Sequence, residues 1–570
     1  MLHGRASMRP DDPGFTFTEY SRDPAGSRET LTWSQLARRT VNVARDLRRH
    51  GTTGDRAVIL APQGLEYISA FLGSMQAGLI AVPLPLPHPG SGHDRVSSVL
   101  ADTQPTVVLT TSAAAGDVGD FIDRSRLDMV PKLVEIDALD LDAEGHTGPD
   151  PVELPDIAYL QYSSGSTRLP TGVKISHRNL TANFDQLMRE FFAQSPLPPD
   201  ATLVSWLPFY HDMGLVLGVC APILCGRRAE LMGPVAFLEK PARWVRALAE
   251  NPHAWSSAPN FAFDLAARKT TDEDLNGLDL GGVVGIISGA ERVEPATLRR
   301  FVDRFAHFNF RDHMMRPAYG LAEATVFVAT GTWDEDSPAG HFDTEELGAG
   351  RVLPCAAGKG TALVKYRVPQ SPSLRIVDGE TCRERPEGAV GEIWVHGENV
   401  SDGYWGRGPD AQSCFGATLV DPPPGTPATP WLRTGDLGFV HGGELFIVGR
   451  IKDLLIIRGR NHYPEDVEAT VQELTRGRVA AIAVPVDGTE RLVTVLELKK
   501  PDELDDEAIR RLAAIKSEVK AAISNVHGLS VEDIVLVAAG AIPTTTSGKI
   551  RRAACVELYQ QNQFARLDSR

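Results

Sequence analysis

The run Tyr162-Ser163-Ser164-Gly165-Ser166-Thr167-Arg168-Leu169-Pro170-Thr171-Gly172-Val173 concentrates hydroxyls and small residues. It lies between a short β-like run, Ile157 to Gln161, and a helix predicted to begin near Ser176 to Asn179. Backbone amides and Ser/Thr hydroxyls hold phosphate oxygens, and glycine lets a ligand come close to the main chain. The spacing is not that of a P-loop, because no Lys follows a second Gly at the required distance. Taken alone, the run also reads as a Ser/Gly turn with no ligand.

Three further stretches carry chemistry-bearing residues. In Trp206-Leu207-Pro208-Phe209-Tyr210-His211-Asp212-Met213-Gly214-Leu215 a His–Asp pair stands at the mouth of an apolar run. A polar pair beside an apolar wall suits a carboxylate head group with an alkyl tail; the bland alternative is a His satisfied inside a buried helix. Ser288-Gly289-Ala290-Glu291 and Tyr319-Gly320-Leu321-Ala322-Glu323 each end a strand-like segment, and ligands collect at strand C-termini in α/β sheets. Tyr319 suits stacking on a base and Glu323 suits Mg²⁺, a hard cation with oxygen ligands; by itself Glu323 is a solvated helix-terminal carboxylate. Lys549 lies in Pro543-Thr544-Thr545-Thr546-Ser547-Gly548-Lys549-Ile550-Arg551-Arg552, which alone reads as an exposed basic tail.

The elements that must position these residues alternate. Helix-like patterns from Trp33 to Leu47 and from Leu65 to Gln76 separate strand candidates Ala57–Leu60 and Leu79–Leu84; others follow at Thr106–Thr111, Ala158–Tyr162, Thr202–Leu207 and Val283–Ser288. This alternation predicts βαβ units and parallel sheet, an α/β fold. From Gly331 to Pro372 the pattern turns irregular and rich in Gly, Pro and acids, as an insertion would. Short strands at Leu374–Asp378 and Gly391–His396 then predict a β-rich subdomain. Glu444 to Arg460 holds two β-like runs around a hinge, Gly449 to Asp453. Beyond it Pro464 opens a helix to Leu474, strands are expected at Ala480–Val486 and Arg491–Leu498, a helix at Asp506–Val526, and a last strand at Ser530–Val537. That is a small α+β domain.

At 570 residues the chain exceeds a single core, so two or more domains are expected. A formal charge of -16 disfavours non-specific nucleic-acid binding. The longest apolar runs are too short and interrupted to span a bilayer. Six cysteines without C-x-x-C spacing support neither a zinc site nor a disulfide framework. No apolar h-region follows the basic start, and with the sparse thiols this predicts a cytoplasmic protein; Met8 is an alternative start.

In this order, from about Phe15 onward, the stretches resemble the adenylate-forming superfamily of acyl-CoA synthetases, luciferases and nonribosomal peptide adenylation domains. Within it they are most similar to the fatty acyl-AMP ligases, through Leu160 to Arg168, Trp206 to Leu215, Ala258-Pro259-Asn260-Phe261-Ala262-Phe263 and Arg458-Gly459-Arg460-Asn461-His462-Tyr463-Pro464. The resemblance implies a large N-terminal adenylation domain, 1–451, with parallel sheets, a β-rich subdomain and an insertion at about 331–368. A small mobile C-terminal lid, 452–570, completes it. It implies that Ser163, Ser164, Gly165, Ser166, Thr167 and Arg168 bind the phosphates of ATP, with Thr167 near Mg²⁺ and Glu323 as metal ligand. Gly289, Ala290, Glu291, Tyr319 and Gly320 would frame the adenine, and Asp436 would hold the ribose, assisted by Arg450. Lys452 would be the hinge, Lys549 the lysine at the carboxylate and α-phosphate, and His211 the residue orienting the acyl carboxylate.

The implied reaction is ATP-dependent formation of fatty acyl-AMP and acyl transfer to the phosphopantetheine arm of an acyl carrier protein, in polyketide or lipopeptide biosynthesis. A fatty acyl-CoA synthetase is the nearest alternative; an amino-acid adenylation domain and a non-catalytic adenylate-binding protein are others. Lys549, Arg551, Arg552, Arg458 and Arg460 are the candidate carrier-docking cations. Three departures stand out: Arg168 and Thr171 where most of the superfamily has Gly and Lys, the acyl-AMP ligases being similar in lacking that Lys; Leu363-Val364-Lys365-Tyr366-Arg367 where the ligases carry a small-residue, Gly-containing segment; and the insertion before it, which resembles the one the ligases use to hinder the domain rotation needed for transfer to CoA. Arg168 is expected to replace part of the missing charge.

Overall fold

The computed structural model describes residues 1–87, 93–125, 127–144, 153–163, 170–192, 196–331, 339–408, 412–457, 460–486, 489–500, 504–545 and 548–568. Two mostly parallel sheets build the large body. The first runs, in spatial order, Lys132–Glu135, Val107–Thr110, Arg56–Ile59, Ile80–Pro83, Ile157–Ser163 and Thr171–Ser176, with only the last pair antiparallel. The near-continuous apolar composition of Arg56–Ile59, Ile80–Pro83 and Val107–Thr110 is what strands covered on both faces require. The helix Trp33–Leu47 shows how local chemistry starts an element: Thr32 Oγ1 accepts from the Gln35 amide at 3.3 Å while the Thr32 amide donates to Gln35 Oε1 at 2.8 Å, a reciprocal cap.

The second sheet has eight strands, ordered Ala329–Thr330, Met315–Tyr319, Gly285–Ser288, Ala254–Ala258, Thr202–Ser205, Arg228–Met232, Pro13–Glu19 and Ser27–Thr32. Its inner pairs are parallel. The C-terminal ends of Gly285–Ser288 and Met315–Tyr319 therefore lie side by side, Ser288 opposite Pro317. A five-stranded antiparallel sheet follows, Tyr366–Arg367, Glu444–Arg450, Leu432–His441, Gly391–His396 and Ser373–Val377.

The segment expected to be irregular between Gly331 and Pro372 is more regular than its composition suggests. Among its described residues Ala339–Phe342 pairs antiparallel with Thr361–Val364, with a short helix Thr344–Gly348 between them. Phe342 packs edge-on against Phe439 and Phe446, so burial of one aromatic overrides weak local propensity.

The C-terminal unit has cores of its own. Strands Val479–Val486, Thr489–Leu498 and Val531–Ala538 form one sheet, and helices Pro464–Thr475, Asp506–His527 and Arg552–Gln560 pack with it. Pro464 stands at the first helical position, and the long helix ends on Gly528 at φ 64°, the left-handed cap glycine provides. At the other end of the chain the helix Leu2–Met8 is packed: Leu2 is buried and Arg5 donates to the carbonyls of Ile223 and Leu224 at 3.2 and 2.7 Å.

Candidate active site

The site is built around Asp436. Its carboxylate, 5% exposed, accepts from Tyr319 Oη at 2.7 Å and from Arg450 Nε at 3.1 Å. Asp436 and Arg450 are opposite each other in the strand pair Leu432–His441 and Glu444–Arg450, whereas Tyr319 arrives from the end of the eight-stranded sheet. Burial, with the Asp436 charge next, pushes the Tyr319 hydroxyl far above its ordinary pKa, so it remains a donor. The hydroxyl of a residue read as a stacking platform is thus committed to the carboxylate read as the ribose anchor.

Next to Tyr319 the backbone passes through Gly320, where a Cβ would sit 1.6 Å from the Val326 carbonyl oxygen; only glycine fits. Glu323 follows on a single 3₁₀ turn, Ala322–Ala324. One of its oxygens accepts from Tyr404 Oη at 2.8 Å, and the carboxylate lines the same cleft as Asp436. A lone carboxylate fits Mg²⁺, which takes one or two protein carboxylates and fills its shell with water and substrate phosphate oxygens. Among the described residues no cluster of three or more His, Cys, Asp or Glu is set to hold a metal.

His211 immediately precedes the one-turn helix Asp212–Leu215, its Nδ1 2.7 Å from Asp212 Oδ1. Gly214 makes that turn possible, because a Cβ there would lie 2.1 Å from the Pro208 carbonyl oxygen. A π-helical turn, Val216–Cys220, follows within the apolar run; such turns are frequent at functional sites. Burial opposes ionisation of Asp212, but His211 and the Lys549 ammonium more than offset it and hold the carboxylate below its ordinary value.

Lys549 reaches this point from the C-terminal unit, in a loop closed by the Lys549 amide donating to Thr545 Oγ1 at 3.1 Å and the Thr545 amide donating to the Lys549 carbonyl at 2.7 Å. Burial, then the Arg450 charge, lowers its pKa; Asp212, Glu291 and Asp436 act in the opposite direction. All three carboxylates line the cleft that Lys549 enters. Glu291 is turned to the helix Asn260–Lys269, accepting from the Phe261 amide at 2.8 Å, so its side chain caps a helix while lining the same cleft as Lys549. Ala290, at φ 66°, occupies a strained left-handed conformation of the kind that clusters at functional sites. Gly289 lies against Ala318, leaving 3.0 Å between a Cβ and its carbonyl oxygen.

One open cleft of about 1770 Å³ collects His211, Asp212, Ala290, Glu291, Tyr319, Gly320, Glu323, Asp436, Arg450, Lys452 and Lys549. Gly289 lines an apolar branch off its floor. Lys452 is on the exposed 3₁₀ turn Ile451–Asp453 that joins the large body to the C-terminal unit. Ser163 ends its strand, opposite Thr171. Ser164, Gly165, Ser166, Thr167 and Arg168 lie outside the described residues, as does Arg458. The stem of their loop is braced: Tyr162 Oη donates to Asp102 Oδ2 at 2.6 Å, and Arg407 donates to the Pro170 carbonyl at 2.8 Å.

The expected docking cations divide. Arg551 is exposed. Arg552 is not available as a docking cation, because its guanidinium is enclosed by Glu468, Glu465 and Asp453 at 2.6, 3.0 and 3.3 Å; a run of basic residues reads as a surface until a partner sequence folds over one of them. Arg460 makes an exposed pair with Glu345 at 3.7 Å. Tyr404, the partner of Glu323, has no signal in the sequence: its stretch Ser401-Asp402-Gly403-Tyr404-Trp405-Gly406 carries no catalytic signature.

A large α/β body faces a small α+β unit across a cleft lined by Asp436, Glu323 and Lys549, an arrangement suited to an enzyme that binds a nucleotide. The AMP-binding enzyme family model matches residues 2–405, and that of the AMP domain of Disco-interacting protein 2-like proteins matches residues 452–569; the chain belongs to the AMP-binding enzyme family. It is 58% identical to a Mycobacterium leprae protein named putative fatty-acid–CoA ligase fadD21, over 100% of this chain and 98% of that one. It is 57% identical, with the same coverage, to the Mycobacterium tuberculosis long-chain-fatty-acid–AMP ligase FadD28. A fatty acyl-adenylate ligase of L. pneumophila, solved with acyl adenylate and pyrophosphate, is similar at TM-score 0.73 and 31% identity over 100% of this chain and 97% of that one. The resemblance to fatty acyl-AMP ligases is thus carried along the whole chain, and among the described residues no helix is long and apolar enough to cross a membrane.

Proposed function

We propose that the chain uses ATP to convert a fatty acid into fatty acyl-AMP and passes the acyl group to the phosphopantetheine thiol of an acyl carrier protein, in the cytoplasm, feeding polyketide or lipopeptide assembly. The observation that carries this is the convergence of Lys549, His211–Asp212 and Asp436–Tyr319 on one cleft with an apolar branch beside Asp212. The full-length relative named a long-chain-fatty-acid–AMP ligase supports it.

In the first step a carboxylate oxygen of the fatty acid bonds to the α-phosphorus, the bond to the bridging oxygen of the β-phosphate breaks, and pyrophosphate leaves. Asp436, with Tyr319 and Arg450, holds the ribose hydroxyls; Gly289, Ala290 and Gly320 wall the adenine; residues 163–168 hold the phosphates. Lys549 meets the negative charge that builds between carboxylate and α-phosphate, in a site where such preorganised charge is worth most. Mg²⁺, held by Glu323, supplies further charge compensation on phosphate oxygens when bound. In the second step the carrier thiolate attacks the acyl carbonyl carbon and AMP leaves. Rotation of residues 452–570 about Lys452 would exchange the two steps, with the insertion at 331–368 limiting it.

A fatty acyl-CoA synthetase is the second reading, favoured by the relative named a putative fatty-acid–CoA ligase. A mass-spectrometric product assay with ATP, Mg²⁺ and fatty acid, run with CoA and separately with a phosphopantetheinylated carrier protein, separates the two. Acyl-AMP that persists with CoA but is consumed by the carrier supports the first reading; acyl-CoA formed at a comparable rate overturns it.

A further inference from the structure

The short turn that carries Glu323 is stitched to a segment with no catalytic signature of its own. The Ser401 amide donates to the Glu323 carbonyl at 2.9 Å, Thr325 Oγ1 to the Asn399 carbonyl at 2.7 Å, and Asn399 Nδ2 to the Ala324 carbonyl at 3.2 Å. From the same segment Tyr404 Oη donates to Glu323 Oε1 at 2.8 Å. The Cys414 thiol in turn donates to Tyr404 Oη at 3.7 Å, which directs the tyrosine's own proton to the carboxylate. With Oε1 taken by the tyrosine, Oε2 is the oxygen left for a cation in the cleft that Glu323 lines.

Tyr404 is itself held at every point. Its backbone bridges to Val173 in antiparallel fashion, the Lys174 amide donating to the Gly403 carbonyl at 3.0 Å and the Trp405 amide to the Gly172 carbonyl at 2.7 Å. Gln412 clasps both of its main-chain groups: the Tyr404 amide donates to Gln412 Oε1 at 2.9 Å, and Gln412 Nε2 donates to the Tyr404 carbonyl at 2.8 Å. Its ring packs edge-on against Phe415, centroids 5.0 Å apart. One residue thus joins the strand Thr171–Ser176 to the Glu323 carboxylate.

We propose that Tyr404 is a positioning residue for adenylation, its hydroxyl holding Glu323 in the orientation that offers Oε2 to Mg²⁺ and its backbone keeping that carboxylate in register with the strand Thr171–Ser176. The proposal rests on the reading of Glu323 as the metal ligand. Groups that hydrogen-bond a ligating side chain fix its direction, and losing one typically weakens the metal about 10- to 100-fold. Without the hydroxyl the glutamate adopts other rotamers, while the contacts around Asp436 stay as they are.

The probe is Mn²⁺, which shares the preference of Mg²⁺ for oxygen ligands. Its affinity is read by water-proton relaxation with the full-length protein in excess over α,β-methylene-ATP, and the affinity for the same nucleotide in EDTA is read by calorimetry. Tyr404→Phe keeps the ring against Phe415 and every backbone bond. It is expected to weaken Mn²⁺ about 10- to 100-fold, with nucleotide affinity in EDTA within about twofold of wild type. Glu323→Gln, which removes the charge at constant length, tests the premise. If Glu323→Gln weakens Mn²⁺ and Tyr404→Phe does not, the positioning role is overturned. If Tyr404→Phe weakens the nucleotide in EDTA as much as it weakens Mn²⁺, the tyrosine braces the whole cleft and the proposal fails. Unchanged Mn²⁺ affinity in Glu323→Gln overturns the metal-ligand reading, and the role of Tyr404 with it.

Discussion

Arg292 Nη2 lies 2.6 Å from Asp466 Oδ1, joining the chain just after Glu291 to the first turn of the helix Pro464–Thr475. The other Asp466 oxygen accepts from Thr361 Oγ1 at 3.1 Å. One carboxylate, with its side chain 8% exposed, thereby ties the segment after Glu291, the strand Thr361–Val364 and the C-terminal unit together.

Removing one partner of a buried pair typically costs about 3–5 kcal/mol, here at the low end because Glu294 also lies 3.2 Å from Arg292. Asp466→Ala is expected to destabilise the protein by that order in urea denaturation and to expose the connection near Lys452 to protease. A loss below about 1 kcal/mol, the level of a surface ion pair, with unchanged proteolysis, would show that the pair does not hold the units.

Glu294 accompanies Arg292 at 3.2 Å. Burial raises its pKa from 4.5 to about 7, against the pull of Arg292 and with the help of Asp466, Glu465 and Glu291. The folded state thus holds a proton that the unfolded state releases between those values, so this contribution to stability is full below pH 4.5 and is lost as pH rises to about 7. Denaturation midpoints of wild type and Glu294→Gln, compared across that range, should converge at the acid end and diverge in favour of the glutamine toward neutrality. Parallel curves would remove Glu294 from the pH response.

Asp436→Asn should raise the KM for ATP by roughly 10- to 100-fold, the range for hydrogen bonds to a charged group. Tyr319→Phe, which removes one neutral donor, should raise it by only about 2- to 10-fold. The KM for fatty acid is the control. If it rises in step with that of ATP, the Asp436–Tyr319 pair supports the cleft as a whole and does not hold the ribose.

Lys549→Ala should slow acyl-AMP formation by about 10²–10³-fold. Because burial lowers the ammonium's pKa below 10.5, the wild-type rate should decline on the alkaline side before an ordinary lysine would deprotonate. Pyrophosphate release measured across pH reads both effects; a near-wild-type rate in the variant would remove Lys549 from the first step.

Arg551→Glu should leave the fold intact and weaken carrier acylation in a salt-dependent way, while Arg552→Glu should unfold the C-terminal unit by placing a fourth carboxylate among Asp453, Glu465 and Glu468. Thermal denaturation of the two variants beside carrier acylation distinguishes them. A stable Arg552→Glu protein would contradict the enclosure of that guanidinium.

Much of the architecture is legible in local pattern. The helix Leu65–Gln76 and the start of Pro464–Thr475 fall where periodicity and an initial proline put them, because side-chain period and capping act within a few residues. The strand pair Ala339–Phe342 with Thr361–Val364 does not, since it is held by Phe342 packing on Phe439 and Phe446, about a hundred residues away.

The order of motifs along the chain was enough to name the family, whereas the close backbone approach that forces Gly at 214 and 320 shows only in the folded chain. The tertiary structure alone decided how the polar side chains are used. It gave Tyr319 to Asp436, Tyr404 to Glu323 and Glu291 to the Phe261 amide; it withdrew Arg552 into a carboxylate cage. The physical reason is range. Propensity, capping and turn chemistry are set by neighbours in sequence, whereas a hydrogen bond between residues 117 apart, as for Tyr319 and Asp436, exists only once separate sheets have docked and closed the chain between them.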